Sequence, residues 1–312
     1  MSNYLQLWKS LSGPRWTSEP NVFLPKHYNN TKLVDLFVSE CSVMPEVFYT
    51  QMAANGNDLP VITPLLAKQF MNIVPPNIVD IVLWTWCSGT SKLAYTATCL
   101  PFCKAVLFPI DLRYGWDISC VEHQQLLVQL DALYRPAFTT FEMRGKGWSR
   151  SKSDQEVQNL EAPMLNFMTM HSLRLIQDKR HGIFECARNS EIWRKSPISS
   201  LGHSEQFHCD TVTSFCAFAP EQDGRRHERS TRLKSSLNLT KAVRQCNCVL
   251  GHVQLSQLDD KVRKSKLVEV TCYSRRFCLA LCEDMLHTYK DMSRSFVIAS
   301  SSHESKVFPL KV

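Results

Sequence analysis

Glycine is scarce in this chain. It has 10 glycines in 312 residues, about half of the ~7% found in average usage, so any glycine-rich loop that cradles a ligand must be sparse. Long apolar runs are also missing. The best one, from Ile78 to Cys87, is ten residues long and contains Asp80, well short of the ~20 residues that a membrane-spanning helix needs, so no membrane partner is expected. The opening MSNYLQLWKS has no basic stretch followed by an apolar one, the pattern of a secretory signal. Cysteine, by contrast, is plentiful and odd in number, at 13. Without a signal these residues are expected as thiols in a reducing compartment, intracellular and either cytoplasmic or nuclear, and not as a disulfide framework. Oligomeric state is not legible from the sequence.

What is present is globular. With 44% hydrophobic and 21% charged residues the chain can bury one large core or two small ones. Residues 1–74 have weak periodicity, scattered Pro and Asn, and one helical stretch around Thr63–Met71; they read as an extension or linker, bounded by Pro75-Pro76. From there a regular alternation begins. Ile78–Trp86 is a continuous apolar and β-branched run of strand length, as buried parallel strands are. Lys92–Leu100 reads as a helix, Ala105–Ile110 as a strand, Val121–Leu133 as a helix and Pro136–Glu142 as a strand. Asp154–Gln177 follows as a long helix and Gly182–Glu185 as a strand. This order predicts a Rossmann-like, doubly wound, mostly parallel α/β sheet over residues 75–200. Residues 201–295 form a smaller basic C-terminal part with strands in Phe207–Ala219 and Thr231–Ser235 and a helix over Val270–Tyr289, and 296–312 are a tail.

Ligands of such sheets bind at the carboxyl ends of the strands. Four such ends are candidates. The first carries the small-residue turn Ser88-Gly89-Thr90; the second ends in Asp111, with Asp117 following; the third leads into Met143–Ser149, with Gly145 and Gly147 among basic residues; the fourth ends in Glu185. Each has a structural alternative, Gly89 as a tight turn and Asp111 as a turn or capping aspartate.

Taken in order, the phrases WCSGTSKLAYTA, PIDLRYGWDI, FEMRGKGWSRS, FECARNSEIW and CAFAPEQDGRRHERSTRL resemble the class I S-adenosylmethionine-dependent methyltransferases. More narrowly, they resemble the cytosine-5 DNA methyltransferase-like domain of retroelement-type polyproteins of algae and dinoflagellates, over about residues 78–290. The resemblance implies S-adenosylmethionine as cofactor, its methionine part at Ser88, Gly89 and Thr90, its ribose at Asp111 and its adenine near Tyr114–Asp117. Glu185 matches the glutamate that contacts the cytosine ring. The family's nucleophilic cysteine falls at Gly145, which has no side chain, so the resemblance implies impaired chemistry, because covalent catalysis needs a thiolate.

The formal charge is +7, and it is concentrated. Between Glu221 and Arg276 there are thirteen Lys/Arg, among them Arg225, Arg226, Arg229 and Arg232, against six acids. Arg144, Lys146, Arg150 and Lys152 add a basic loop after the third strand. These positions are the candidates for nucleic-acid contact through phosphates, with a solvated surface as the alternative. Cys246, Cys248 and His252 form C-x-C-x3-H, part of a zinc pattern, but no fourth ligand stands at a usual spacing; Cys209, His208 and Cys216 are the near candidates, and no metal is expected. Cys272, Cys278 and Cys282 read as core thiols. The reading is therefore a degenerate methyltransferase-like domain that retains cofactor or nucleic-acid binding. The rival is a non-enzymatic scaffold or relic with no ligand.

Overall fold

The computed structural model describes residues 64–73, 81–89, 91–98, 100, 105–143, 147–149, 152–203, 205–218, 226–227, 229–248, 251–253 and 273–303. Thr90, Arg144, Gly145, Lys146, Arg150, Arg225, Cys272 and the Pro75-Pro76 pair lie outside them. The elements run in the order α1 (Pro64–Ile73), β1 (Ile81–Trp86), α2 (Lys92–Thr98), β2 (Ala105–Val106), α3 (Val121–Tyr134), β3 (Phe138–Glu142), β4 (Trp148–Ser149), β5 (Lys152–Ser153), α4 (Gln155–Gln177), β6 (His181–Ala187), α5 (Ile192–Lys195), β7 (Cys209–Ser214), β8 (Arg226–His227), β9 (Ser230–Ser235), β10 (His252–Val253) and α6 (Arg275–His303).

The architecture is a mixed α/β fold on an open six-stranded sheet in the order β2-β1-β3-β6-β9-β7. The first four strands are parallel, and β9 and β7 extend them antiparallel. The basic C-terminal part thus continues the sheet. The second apolar run is a strand only at Ala105–Val106, with one further bridge from Ile110 to Trp86. Pro109, which has no N–H to donate, interrupts the ladder on this edge strand.

Side chains alternate across the sheet, so each strand feeds two cores. On one face Trp84, Trp86, Phe141 and Phe184 pack with Phe70 of α1, Leu127 of α3 and Met168 of α4. The rings mesh closely: Trp84 stands edge-on to Trp86 at 5.0 Å and Phe141 stacks on Phe184 at 4.4 Å. Burying each large apolar side chain contributes roughly 1.5–3 kcal/mol. The opposite face is built from Leu83, Phe138, Ile183 and Leu233 against Leu93 of α2 and Phe277 and Leu281 of α6. Helix α1, in the part read from sequence as a linker, buries Ala67 and Phe70 in the first core.

At the amino ends of β3 and β6 a buried ion pair ties two helices to the sheet. Arg180, between α4 and β6, donates to both carboxylate oxygens of Asp131 in α3 at 2.7 and 2.8 Å, and also to Asp178 at 3.0 Å. Removing one partner of such a pair strands a charge in the interior, which costs about 3–5 kcal/mol, whereas replacing both with apolar residues is often near neutral. Arg180→Ala should therefore lower the unfolding free energy by about that amount in a urea titration, and the double change Asp131→Leu, Arg180→Met should recover most of it. A loss below about 1 kcal/mol for the single variant would show that water reaches the pair.

Candidate functional site at the carboxyl edge of the sheet

The turn after β1 is built on left-handed backbone. Cys87, Gly89 and Ser91 all have left-handed φ angles, of 56°, 54° and 55°, a conformation that costs a non-glycine residue roughly 1 kcal/mol. The turn is held by its own polar groups. Ser88 and Ser91 share a hydroxyl hydrogen bond of 3.0 Å, and the Tyr114 hydroxyl lies 2.9 Å from Ser91 Oγ. Asp111, buried at the end of the second run, accepts from the Gly89 N–H through Oδ2 at 2.8 Å. Asp117 accepts from the Ser119 N–H at 3.0 Å and from the Ser119 hydroxyl, bracing the loop that leads into α3. The cofactor candidates Ser88, Gly89 and Asp111 are thus brought together, and Asp117 is engaged with its own loop.

Glu185 sits near the end of β6, in register with Glu142 at the end of β3. Both project to the face covered by α6. Thr231 donates to Glu185 Oε1, and Tyr273 donates to Oε2 at 2.7 Å. Burial pushes the Glu185 carboxyl above its ordinary range, opposed by Arg229, Thr231 and Tyr273. Glu142 is more exposed as a residue, yet its Oε1 is inaccessible and has no hydrogen-bond partner. Burial raises its pKa well above the ordinary value, and the neighbouring charges of Glu185 and Asp111 add to this. The Tyr273 hydroxyl is held protonated far above its usual range by burial and by the charges of Glu142 and Glu185. Three acids therefore meet at one edge of the sheet, Asp111, Glu142 and Glu185, beside a strained turn. Glu142 and Tyr273 escaped the sequence reading; the signal for Glu142 was that PAFTTFE ends in an acid just as the second and fourth runs do.

The thiol next to Glu185 in sequence is turned away from this edge. Cys186 is on the opposite face from Glu185, inside the core that includes Trp193, and burial pushes its pKa up to about 12. The position matched to the family's cysteine, Gly145, is outside the described residues. In the loop that follows, Gly147 and Trp148 pack against α4. A Cβ on Gly147 would stand 2.3 Å from Val157 Cγ1 of α4, so that glycine serves close packing, and Trp148 is buried with its Nε1 donating to Glu161 at 2.6 Å.

Of the basic candidates, Arg232 is engaged within the fold. Its guanidinium makes a bidentate pair with Asp210 at 2.6 and 2.6 Å and lies 5.3 Å over the Trp193 ring, because β9 and β7 place the two residues on neighbouring strands. Arg229 lies 4.7 Å over Phe215 and favours the ionised form of Glu185, so it faces the acid edge. Arg226 lies on β8.

A second constellation lies just beyond the carboxyl end of β7. Cys216, Cys246, Cys248 and His252 bring their ligand atoms within 4.8 Å of one another. Of the other near candidates, His208 bonds Asn238 at 3.1 Å and Cys209 packs against the core on the α6 face. None of the described cysteines is in a disulfide.

No family model, curated protein or solved structure matches the chain. Among the described residues no helix is long and apolar enough to cross a membrane.

The raised pKa of Glu142 has a measurable consequence. Folded Glu142 holds its proton more tightly than the unfolded chain does, so the stability it lends is complete below the ordinary carboxylate range near ~4.3 and is lost as pH rises through the folded value. Glu142→Gln, permanently neutral, should melt higher than the parent chain at about pH 8 and alike near pH 4. A parallel offset at both pH values would show that the group ionises as it does in water.

Proposed function

We propose that the chain is a methyltransferase-like domain on a Rossmann-like, doubly wound sheet, that its carboxyl edge takes S-adenosylmethionine, and that it does not carry out cytosine-5 methyl transfer. The observation that carries this reading is the convergence of Asp111, Glu142 and Glu185 beside the Gly89 turn, with Glu142 Oε1 buried and unpartnered. A cationic ligand suits that edge. A sulfonium and an ammonium group would each favour the ionised acids, and hydroxyl groups of a ribose match carboxylate acceptors. Ser88, Gly89 and Asp111 would hold the ligand, and Glu142 would meet its positive charge. The donor's methyl group is the chemistry the cofactor supplies.

The transfer itself needs a thiolate within about 3–3.5 Å of the ring carbon of a flipped base. Cys186 is turned away and protonated, and Gly145 cannot serve. The scaffold reading is favoured by one observation: Asp111 is already bonded to Gly89, and both Glu185 oxygens are taken by Thr231 and Tyr273. Calorimetric titration of the full chain separates the two. S-adenosylmethionine should bind, and Glu142→Gln, which keeps shape but cannot ionise, should weaken it at least about tenfold, the factor that 1.4 kcal/mol represents. No heat with the parent chain establishes the scaffold reading. DNA containing 5-fluorocytosine should form no covalent adduct; a trapped adduct would overturn the assignment of the nucleophile's place.

The proposal extends to nucleic acid through Arg144, Lys146, Arg150, Arg225, Arg226, Arg229 and Arg232. Phosphate contacts release counterions, so the logarithm of affinity should fall with that of salt by about 0.7–0.9 per contact. Replacing Arg144, Lys146 and Arg150 together by Gln should reduce that slope, and an unchanged slope would remove this loop from the interface.

A further inference from the structure

The geometry points to a structural zinc site formed by Cys216, Cys246, Cys248 and His252. Their four donor atoms lie within 4.8 Å of one another, and Cys246 Sγ is 3.2 Å from His252 Nε2. In a tetrahedral zinc centre with bonds of about 2.3 Å to sulfur and 2.0–2.1 Å to nitrogen, the donors stand roughly 3.6–3.8 Å apart. The four atoms are therefore grouped at nearly the separation the ion would impose, and a shift of about 1 Å at the widest pair completes it. Three thiols and one imidazole favour zinc over calcium or magnesium, which prefer oxygen ligands. Four protein ligands fill the tetrahedron and leave no open position for substrate, so the role is structural.

The ligands come from three separate segments, and each is fixed by packing independent of the ion. Cys216 is in the short 3-10 turn Phe215–Phe218 after β7. Its flanking rings are clamped on α6, Phe215 at 4.8 Å and Phe218 at 5.4 Å from Phe277. Cys246 and Cys248 follow a strap pinned at two places. Asp284 of α6 accepts from the backbone N–H groups of Thr240, Lys241 and Ala242 at 2.9–3.1 Å, and Arg244 exchanges bonds with Thr213 and Ser214 at 3.0 and 2.8 Å. Pairing residue 244 with 213 and 214 is what carries 246 and 248 to 216. His252 lies on β10, held parallel to β8. Sulfur is prepared as well, since the Cys248 N–H donates to Cys246 Sγ at 3.4 Å, the kind of outer contact that spreads thiolate charge.

The sequence alone gave C-x-C-x3-H and no fourth ligand, because Cys216 is supplied across the sheet edge. The site joins the two-stranded β8–β10 ribbon to β7.

The full chain, produced with zinc in the medium and purified in reductant without chelator, should carry about one zinc per chain by elemental analysis, as a closed four-ligand site does. Cobalt in its place should give the intense visible bands of tetrahedral thiolate coordination. Cys216→Ser and Cys248→Ser should each lose most of the metal on dialysis against a chelator, whereas His252→Cys should keep it. If the serine variants do not fold, alkylation of the unaltered chain still decides: zinc should protect Cys246 and Cys248 and leave Cys120 reactive. Absence of bound zinc after both purification and added metal would overturn the proposal. So would a disulfide joining Cys246 to Cys216 or Cys248, or alkylation that zinc does not slow.

Discussion

Arg180 and Asp131 set the foot of the sheet. The pair joins α3 to the turn between α4 and β6, and the same guanidinium reaches the Pro136 carbonyl just before β3 at 3.5 Å. With the amino ends of the two central strands locked, their carboxyl ends are carried to a common level, and Glu142 and Glu185 come into register. The environment of the pair is dry. His171 of α4, stacked at 4.5 Å on Trp86, is kept neutral by burial, which pulls its pKa down to about 4. Arg180 thus meets Asp131 without a second cation competing for it.

The parallel half was legible in the sequence because its strands are buried on both faces and read as uninterrupted apolar runs. The antiparallel half was less so. Strand β9, STRLKS, alternates charged and apolar residues, and the sequence shows a strand over Thr231–Ser235 but not its place inside the sheet between β6 and β7. Arg232 and Lys234 can be there because Asp210 on β7 lies opposite both, at 2.6 and 3.3 Å. Local sequence carries no sign of that pairing, which spans more than twenty residues. The same limit hid Tyr273 from Glu185 and Cys216 from Cys246. Helix α1 was visible as a helix, but its partner Tyr134, 5.4 Å from Phe70, comes from a distant helix, so its place in the core was not.

The carboxyl edge shows how one feature can serve two ends. Asp111 bonds the Gly89 N–H and thereby holds a turn with three left-handed residues, two of them not glycine. A bound ligand that drew on Asp111 would compete with that support. Backbone strain of this kind persists only where the surroundings over-determine it, and here Tyr114, Ser88 and Ser91 provide the remaining restraint. Glu142 is different: its Oε1 is buried without a hydrogen bond, Tyr273 only partly offsets the burial of its charge, and the fold weakens when the group ionises.

The order in which the two cores are completed differs along the chain. The face built on Trp84 and Phe141 is closed by α3 and α4, which lie among its strands in sequence. The other face exposes Leu83 and Phe138 until α6 arrives, with Phe277 and Leu281 as its cover. A ribosome adding ~5–20 residues per second needs on the order of ten seconds to pass from Phe138 to Phe277. During that interval the nascent sheet has one finished side and one that only α2 covers in part, through Leu93, Ala94 and Ala97. A chaperone that binds extended apolar surface would find it there, and the arrival of Tyr273 and Phe277 would release it, so the helix that seals Glu185 also ends the period in which this chain can aggregate through its own sheet.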